Sequence, residues 1–176
     1  TGLPEGAKIG HARWAPDGTH IAFTVTGQAG IALWVVDMET GAARPLVEDR
    51  LNGTFGTPFV WVSDSRTIVY KTVPEDLKKP PEAPMVPEGP VVQETVGVVA
   101  PSRTHQDLLK NVYDEALFEY YATSQVIAAT LDGEVHAIGP AGMVCRAQPA
   151  PGGAYLLVDF FSLETLAPKK PMAELS

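Results

Sequence analysis

The sequence predicts an all-β fold, and three observations support this prediction. A ten-residue unit that begins at Trp14 recurs after about 47 residues, at Trp61. Apolar and polar residues alternate with a period of two after each unit's turn, as in a strand with one buried face. The 16 Pro and 16 Gly among 176 residues are typical of a chain with many turns. Short antiparallel strands joined by tight turns are therefore expected throughout.

The repeated unit is predicted to be a β-hairpin. Its first copy, at residues 14–23, reads Trp-Ala-Pro-Asp-Gly-Thr-His-Ile-Ala-Phe, and its second, at 61–70, reads Trp-Val-Ser-Asp-Ser-Arg-Thr-Ile-Val-Tyr. Pro and Asp favour the corners of a turn, and Gly adopts the positive φ that closes it. A degenerate third copy at 149–158 keeps Pro, Gly and the apolar run. Repeats of this period predict β-propeller blades, which must stack to bury both faces.

Four strands are expected in the first blade. The alternating pattern places them at 11–14, 20–26, 31–37 and 43–47. Pro45 cannot donate a hydrogen bond within a sheet, so the fourth strand is expected at an edge.

The second blade repeats this order, and a third blade begins after it. Its strands are predicted at 58–62, 67–72, 125–130 and 135–138, followed by strands of a third blade at 143–147 and 155–160. The predicted fold is thus a partial β-propeller of two four-stranded antiparallel blades and part of a third, spanning residues 1–161. An irregular tail follows at 162–176. An unclosed array of blades leaves apolar faces bare, which predicts that the isolated chain is poorly soluble or oligomeric.

An insertion at about residues 74–124 interrupts the second blade between its second and third strands. Seven prolines lie between Pro74 and Pro101, which excludes a helix interior or a central strand and predicts an extended surface loop. Thr104, with Asp107 three residues later, is a candidate N-cap for an amphipathic helix. This helix either packs on the blade or presents an aromatic rim to a substrate. Its four aromatic residues are Tyr113, Phe118, Tyr120 and Tyr121.

Composition disfavours several functions. The net charge is −8, from 13 Lys plus Arg against 21 Asp plus Glu, so nucleic-acid binding through phosphate contacts is not expected. No apolar run approaches the length of about 18 residues that spans a bilayer, so no membrane span is predicted. Cys145 is the single cysteine and is expected to be a buried strand residue without an intrachain disulfide. The chain begins at Thr1 with no targeting segment, which is expected of a fragment.

No catalytic, metal-binding or cofactor-binding residue is predicted from the patterns alone. The four histidines lack the spacing of metal ligands, and each is expected to be a surface or strand residue. They are His11, His20, His105 and His136. Asp17, Asp64 and Asp132 fall in turns, where bonding to their own backbone explains them. Glu115 and Glu119 are one helical turn apart, a spacing that usually means solvated charge rather than an acid–base pair.

The insertion carries a more specific signal than the repeat does. Its sequence is PVVQE at 90–94, APSRTHQDLLKN at 100–111 and YDEALFEYYATSQ at 113–125. These segments closely resemble one region of the glutamyl endopeptidase branch of the prolyl oligopeptidase family. The similarity extends through the flanking blades, over about residues 8–158. The repeat unit itself is similar to the propeller repeats of both the TolB and the prolyl oligopeptidase kinds.

The resemblance implies a propeller that works with a catalytic domain. Members of the family have an N-terminal propeller and a C-terminal α/β-hydrolase domain with a Ser-Asp-His triad. This chain resembles the propeller portion alone, and none of its serines stands in a Gly-x-Ser-x-Gly elbow, so it is expected to be inactive by itself. The implied partners are the hydrolase domain of a full-length parent and a peptide substrate whose access the propeller gates. The alternative is a TolB-like propeller that binds a protein partner.

Arg103 is the one candidate substrate-binding residue. It stands in the segment that most resembles the family, directly before the predicted helix cap. Its guanidinium could bind an acidic side chain of a peptide substrate, or it could bond carbonyls of the surrounding loop. The resemblance also favours a periplasmic or secreted location.

Overall fold

The structure, a computed structural model, describes residues 3–84, 109 and 111–163, and these contain nine strands and one helix. Two compact units are distinguished along the chain. One consists of residues through Leu77 together with those from Ala122 onward, and the other comprises Lys78–Tyr121. All nine strands belong to the first unit and form two antiparallel sheets, which confirms the predicted all-β class.

The first sheet is the predicted first blade. It contains β1 (Lys8–Trp14), β2 (His20–Thr26), β3 (Ile31–Asp37) and β4 (Ala43–Val47), in that spatial order. Neighbouring strands pair antiparallel, and β4 lies at an edge as expected. The blade is thus formed from one continuous segment of the chain.

The second sheet contains the second blade and the start of a third. Its strands are β5 (Phe59–Trp61), β6 (Thr67–Thr72), β7 (Thr123–Thr130), β8 (Val135–Pro149) and β9 (Leu156–Phe160), in that order. The prediction of two separate strands at 135–138 and 143–147 is wrong, because the single strand β8 is continuous over both ranges. Gly139 adopts a φ of +63° there, but the pairing with β7 shifts register instead of ending.

The long strand β8 therefore serves two blades. Its first part pairs with β7, through Val135–Ile138 and then through Gly142 and Met143, and completes the second blade. Its last part, from Val144 to Pro149, pairs with β9 and begins a partial third blade. Two four-stranded blades and part of a third agree with the predicted architecture.

Three apolar clusters hold the blades together. The interblade core joins the inner face of the first blade to the second blade, through Ala15, Ala22, Leu33, Val35, Leu51, Phe59, Trp61, Ile68, Tyr70 and Ala129. The outer face of the first blade carries Phe23, Val25, Ala32 and Trp34. The far face of the second blade carries Val62, Val69, Val126 and Val144. Alternate residues of one strand thus enter different clusters, so each blade has two apolar faces.

The helix α1 spans Val112–Ala122. Asn111 is its N-cap, because the Asn111 side-chain oxygen accepts a hydrogen bond from the Asp114 amide at 2.8 Å. The predicted cap, Thr104 with Asp107, lies outside the described residues, as does the tail from residue 164 onward. Within the part of the chain that the structure describes, no helix is long and apolar enough to cross a membrane.

Candidate functional site

The interface between the first and second blades is the most extensive site that the described residues form. Leu33 and Ile68 are fully buried in its core. Trp61 is also buried, and its indole Nε1 donates a hydrogen bond across the interface to the Arg13 carbonyl at 3.1 Å. The two blades are therefore joined by a directional bond as well as by apolar contact, which makes their relative position specific.

The repeated turns lie side by side along one rim of this interface. Ser65 adopts a φ of +59° and is buried, and its hydroxyl accepts a hydrogen bond from the Asp17 amide at 3.0 Å. This bond explains why a serine occupies a place that Gly18 and Gly153 fill in the other two copies, at φ of +76° and +72°. A Cβ added at Gly153 would lie 3.2 Å from the Val62 side chain. Each turn thus contacts the turn of the preceding copy.

Asp17 and Asp64 bond the backbone of their own turns, as predicted, whereas the Asp132 carboxylate accepts a hydrogen bond from the Arg66 guanidinium at 2.5 Å. Asp17 accepts a bond from the Thr19 amide at 2.9 Å, and this bond leads the causes that lower the pKa of its carboxyl. At Asp64, burial opposes ionisation, but hydrogen bonds from Thr67 and Arg66 outweigh it and the pKa is lowered. Both carboxylates stabilise the turn conformation.

The insertion joins the sheet at the ends of β6 and β7 that lie away from the repeated turns. The insertion leaves the sheet after Thr72 and returns at Thr123, and the crossover at 50–57 is bonded to both places. The Asn52 side-chain amide donates to the Thr123 carbonyl at 2.9 Å. The Arg50 guanidinium donates to the Val73 carbonyl at 2.8 Å. The crossover therefore fixes both ends of the insertion.

A groove of about 510 Å³ lies beside these contacts. Arg50, Tyr70, Thr72 and Gln125 are among its lining residues. Arg50 forms an exposed ion pair with Glu75 at 3.3 Å. Burial raises the pKa of the Tyr70 hydroxyl.

Lys71 is the most unusual side chain on the far face of the second blade, because it is charged by nature and only 1% exposed. Its ammonium donates to the Phe55 carbonyl of the crossover and to the Val144 carbonyl of β8, the latter at 3.2 Å. Burial lowers its pKa to about 8, and the neighbouring Cys145 offsets this only in part. Lys71 thus joins the crossover, β6 and β8. The sequence could have indicated that Lys71 is buried, because Lys71 is two residues from the buried Val69 and therefore lies on the same face of β6.

The depressed pKa of Lys71 predicts a rise in stability at alkaline pH. The folded state disfavours the charged amine, so the unfolded chain binds more protons between pH 8 and 10.5, and the free energy of unfolding increases with pH across that window. A shift of this size corresponds to at most roughly 3 kcal/mol. Urea unfolding at several pH values should show the rise relative to Lys71→Met. The exposed Lys8→Met variant should follow the wild type, and equal pH profiles for Lys71→Met and wild type would contradict the assignment.

The structure places three of the four histidines but not the candidate substrate-binding residue. Arg103 and His105 lie outside the described residues. His11 and His136 are exposed, while His20 lies beside Asp37, with 3.7 Å between its Nε2 and the carboxylate. Among the residues that the structure describes, no group of three or more His, Cys, Asp or Glu side chains could hold a metal ion. The contacts of Lys71 and Asn52 were missed by the sequence analysis.

Comparison with known proteins identifies relatives of much greater length. No family model matches the chain. It is 44% identical over 169 residues to a protein of Oryza sativa subsp. japonica named "Probable glutamyl endopeptidase, chloroplastic", covering 90% of this chain and 18% of the rice protein. An Arabidopsis thaliana protein of the same name is 40% identical over 168 residues, covering 90% of this chain and 17% of that protein. The chain thus spans less than a fifth of these relatives.

The fold agrees with a solved propeller. The β-propeller domain of the Trilobed protease from Pyrococcus furiosus superposes with a TM-score of 0.51 at 12% identity, covering 88% of this chain and 35% of that one. At this identity the likeness concerns the fold alone. Sequence and fold together identify the chain as a β-propeller segment that is similar to part of two proteins named as probable glutamyl endopeptidases.

Proposed function

We propose that this chain is the propeller part of a glutamyl endopeptidase-like serine peptidase and gates the access of peptides to an α/β-hydrolase domain. The observation that carries the proposal is the 44% identity with a protein named as a probable glutamyl endopeptidase, over a segment that folds as propeller blades. The hydrolase domain is the proposed partner, and peptides containing Glu are the proposed substrates. Arg103 remains a proposed contact for the Glu side chain.

The blade interface supports a gating role. A gate that admits extended peptides and excludes folded proteins requires neighbouring blades that do not separate. The buried core around Leu33 and Ile68 and the bond from Trp61 to Arg13 hold the two blades together. Burial of large apolar side chains at such an interface contributes about 1.5–3 kcal/mol for each side chain. Separating the blades would expose this surface, so the closed wall is favoured.

A chimaeric enzyme tests the proposal. The segment of the rice relative that aligns with this chain is replaced by the chain itself, and cleavage of a short Glu-containing peptide is compared with cleavage of a folded protein. We expect the peptide to be cleaved and the folded protein to be excluded. Arg103→Ala should weaken the preference for Glu, whereas an unchanged preference would remove Arg103 from the site.

Weakening the blade interface should then open the gate selectively. Trp61→Ala in the chimaera is expected to raise cleavage of the folded protein about tenfold relative to the peptide, because a buried interface tryptophan is lost. Trp61→Phe keeps the apolar ring and should show a smaller effect. The exposed His136→Ala serves as control. A chimaera that binds a fluorophosphonate probe yet cleaves both substrates equally would contradict gating and favour a protein-binding role.

A further inference from the structure

The strand β1 lies on the side of the first blade where the two blades converge. The Trp61 indole of β5 is bonded to the Arg13 carbonyl of β1, so the first strands of the two blades are in contact. At the opposite edges of the blades, a groove of about 510 Å³ is lined by Val47 of β4 and by Val135 of β8. The blades of a propeller radiate from a central channel and converge towards it. We therefore place β1 on the channel side of its blade, where a passing peptide would meet it.

β1 carries positive charge that the architecture of a blade does not require. Its seven residues include Lys8, His11 and Arg13, all three are exposed, and the strand contains no acidic residue. None of the ion pairs within the described residues includes any of the three. Residues 55–60, which correspond to 8–13 in the second copy of the repeat, read Phe-Gly-Thr-Pro-Phe-Val and contain no charged residue. In a chain with a net charge of −8, the composition of β1 is a local exception.

His11 has a backbone conformation that is disfavoured for a residue with a side chain. Its φ is +47°, and the pairing of β1 with β2 shifts register between Gly10 and Arg13, which places His11 in a bulge. Glycine adopts such a φ without steric cost. Disfavoured conformations cluster at binding and catalytic sites, and bulges beside such sites redirect a side chain. The bulge therefore points to a role for the imidazole beyond the stability of the blade.

A pocket of about 300 Å³ opens beside this bulge. Lys8, His11 and Thr26 are among its polar lining residues, and no acidic residue of the described part lines it. An ammonium, an imidazole N–H and a hydroxyl all donate hydrogen bonds, so the three side chains suit a carboxylate. Ile31 and Pro58 add apolar surface, which suits the methylene groups of a short aliphatic acid.

We infer that this pocket holds a glutamate side chain of an extended peptide that passes along β1, with Lys8 and His11 as donors to its carboxylate. This inference rests on the proposed function, because it assumes that peptides containing Glu reach the propeller. It gives the propeller a part in selecting substrates, beyond excluding folded proteins, and adds a second acid-binding contact to Arg103. Lys8 also borders a groove that Glu48 and Asp49 line, so the larger contribution is expected from His11.

The test is the binding of two peptides to the isolated chain and to the rice chimaera, the latter after reaction with a fluorophosphonate to stop cleavage. One fluorescein-labelled peptide contains Glu, and the other has Gln in its place. Both are amidated, so that only the Glu side chain supplies a carboxylate. Fluorescence anisotropy should show about tenfold tighter binding of the Glu peptide. His11→Asn, in which Asn tolerates the positive φ, should reduce this preference about threefold, and Lys8→Gln with His11→Asn should abolish it.

Two further variants separate binding from stability. Arg44→Gln is the matched control, because it removes a positive charge from β4, at the opposite edge of the same sheet, and should leave the preference unchanged. His11→Gly places glycine where φ is positive, so the urea midpoint should not fall although the preference is reduced. A merely structural role of His11 would instead lower the midpoint and leave the preference intact.

Other outcomes overturn the inference. Equal affinity of the unmutated protein for the two peptides would show that the pocket does not select acidic side chains. Loss of the preference in Arg103→Ala, with no change in the double variant, would assign the carboxylate to Arg103 alone. Aggregation of Lys8→Gln with an unchanged preference would show that Lys8 protects the sheet edge from pairing. The proposed function is scored separately, by exclusion of folded proteins, so a chimaera that prefers the Glu peptide but cleaves folded proteins rejects gating alone.

Discussion

Gly56→Ala is expected to destabilise the chain by about 3 kcal/mol or more, because it combines a disfavoured backbone conformation with a steric collision. Gly56 has a φ of +67°. A Cβ at this position would collide with the Cys145 carbonyl oxygen and lie 3.0 Å from its carbon. The crossover is pressed against β8 there, next to the Lys71 contacts. Urea unfolding, followed by fluorescence at a concentration where the chain is monomeric, would measure the loss.

Gly18→Ala is the matched control for this prediction. Gly18 has a φ of +76°, and a Cβ there would meet nothing within 4 Å. It therefore isolates the conformational cost, which we expect to be about 1–2 kcal/mol. If the two variants lost the same stability, the close approach of the crossover to β8 would contribute nothing, and the structure of this junction would be wrong.

Leu33→Ala should destabilise the chain by about 2–5 kcal/mol, the range measured for leucine truncations that leave a cavity. Leu33 lies in β3 and is fully buried in the core between the first and second blades. The loss should also reduce the cooperativity of unfolding, because this core is what couples the two blades. We therefore expect the denaturation curve of Leu33→Ala to show two transitions, one for each blade.

Leu157→Ala provides the comparison for Leu33. Leu157 lies in β9 and is 56% exposed, so its truncation should change the free energy of unfolding by less than about 0.5 kcal/mol. A loss at Leu33 no larger than that at Leu157 would mean that the two blades do not share a core.

The strands and turns could be predicted because each carries its own local signal. Trp14 and Trp61 mark the same register, and Asp17 and Asp64 bond their own turns as their positions indicated. The alternation in β2 predicted one buried face, and the structure buries both, with Ala22 in the interblade core and Phe23 and Val25 in the cluster on the outer face. Local patterns of this kind predict the structure correctly because the contacts that they indicate form within a single hairpin.

Features that depend on distant residues could not be predicted in this way. The continuity of β8 depends on its pairing with β7 and then with β9, which no local pattern in 135–149 encodes. The start of α1 depends on the side chain of Asn111, one of several residues there that can cap a helix. Lys71 is tolerated inside only because Phe55 and Val144 offer carbonyls from elsewhere in the chain. Arg103 stays a prediction.

The direct pairing of β6 with β7 also bears on how such chains can diverge. Thr72 is a register partner of Gln125, so the sheet is continuous across the place where some fifty residues depart and return. The cost of closing a loop rises by only about 0.6 kcal/mol for each doubling of its length, so we expect changes in the length of this segment to affect the blade little. Descendants of a common ancestor can therefore exchange long and short versions at this one joint. Homologous chains should differ in length here far more than at the turn after Trp14.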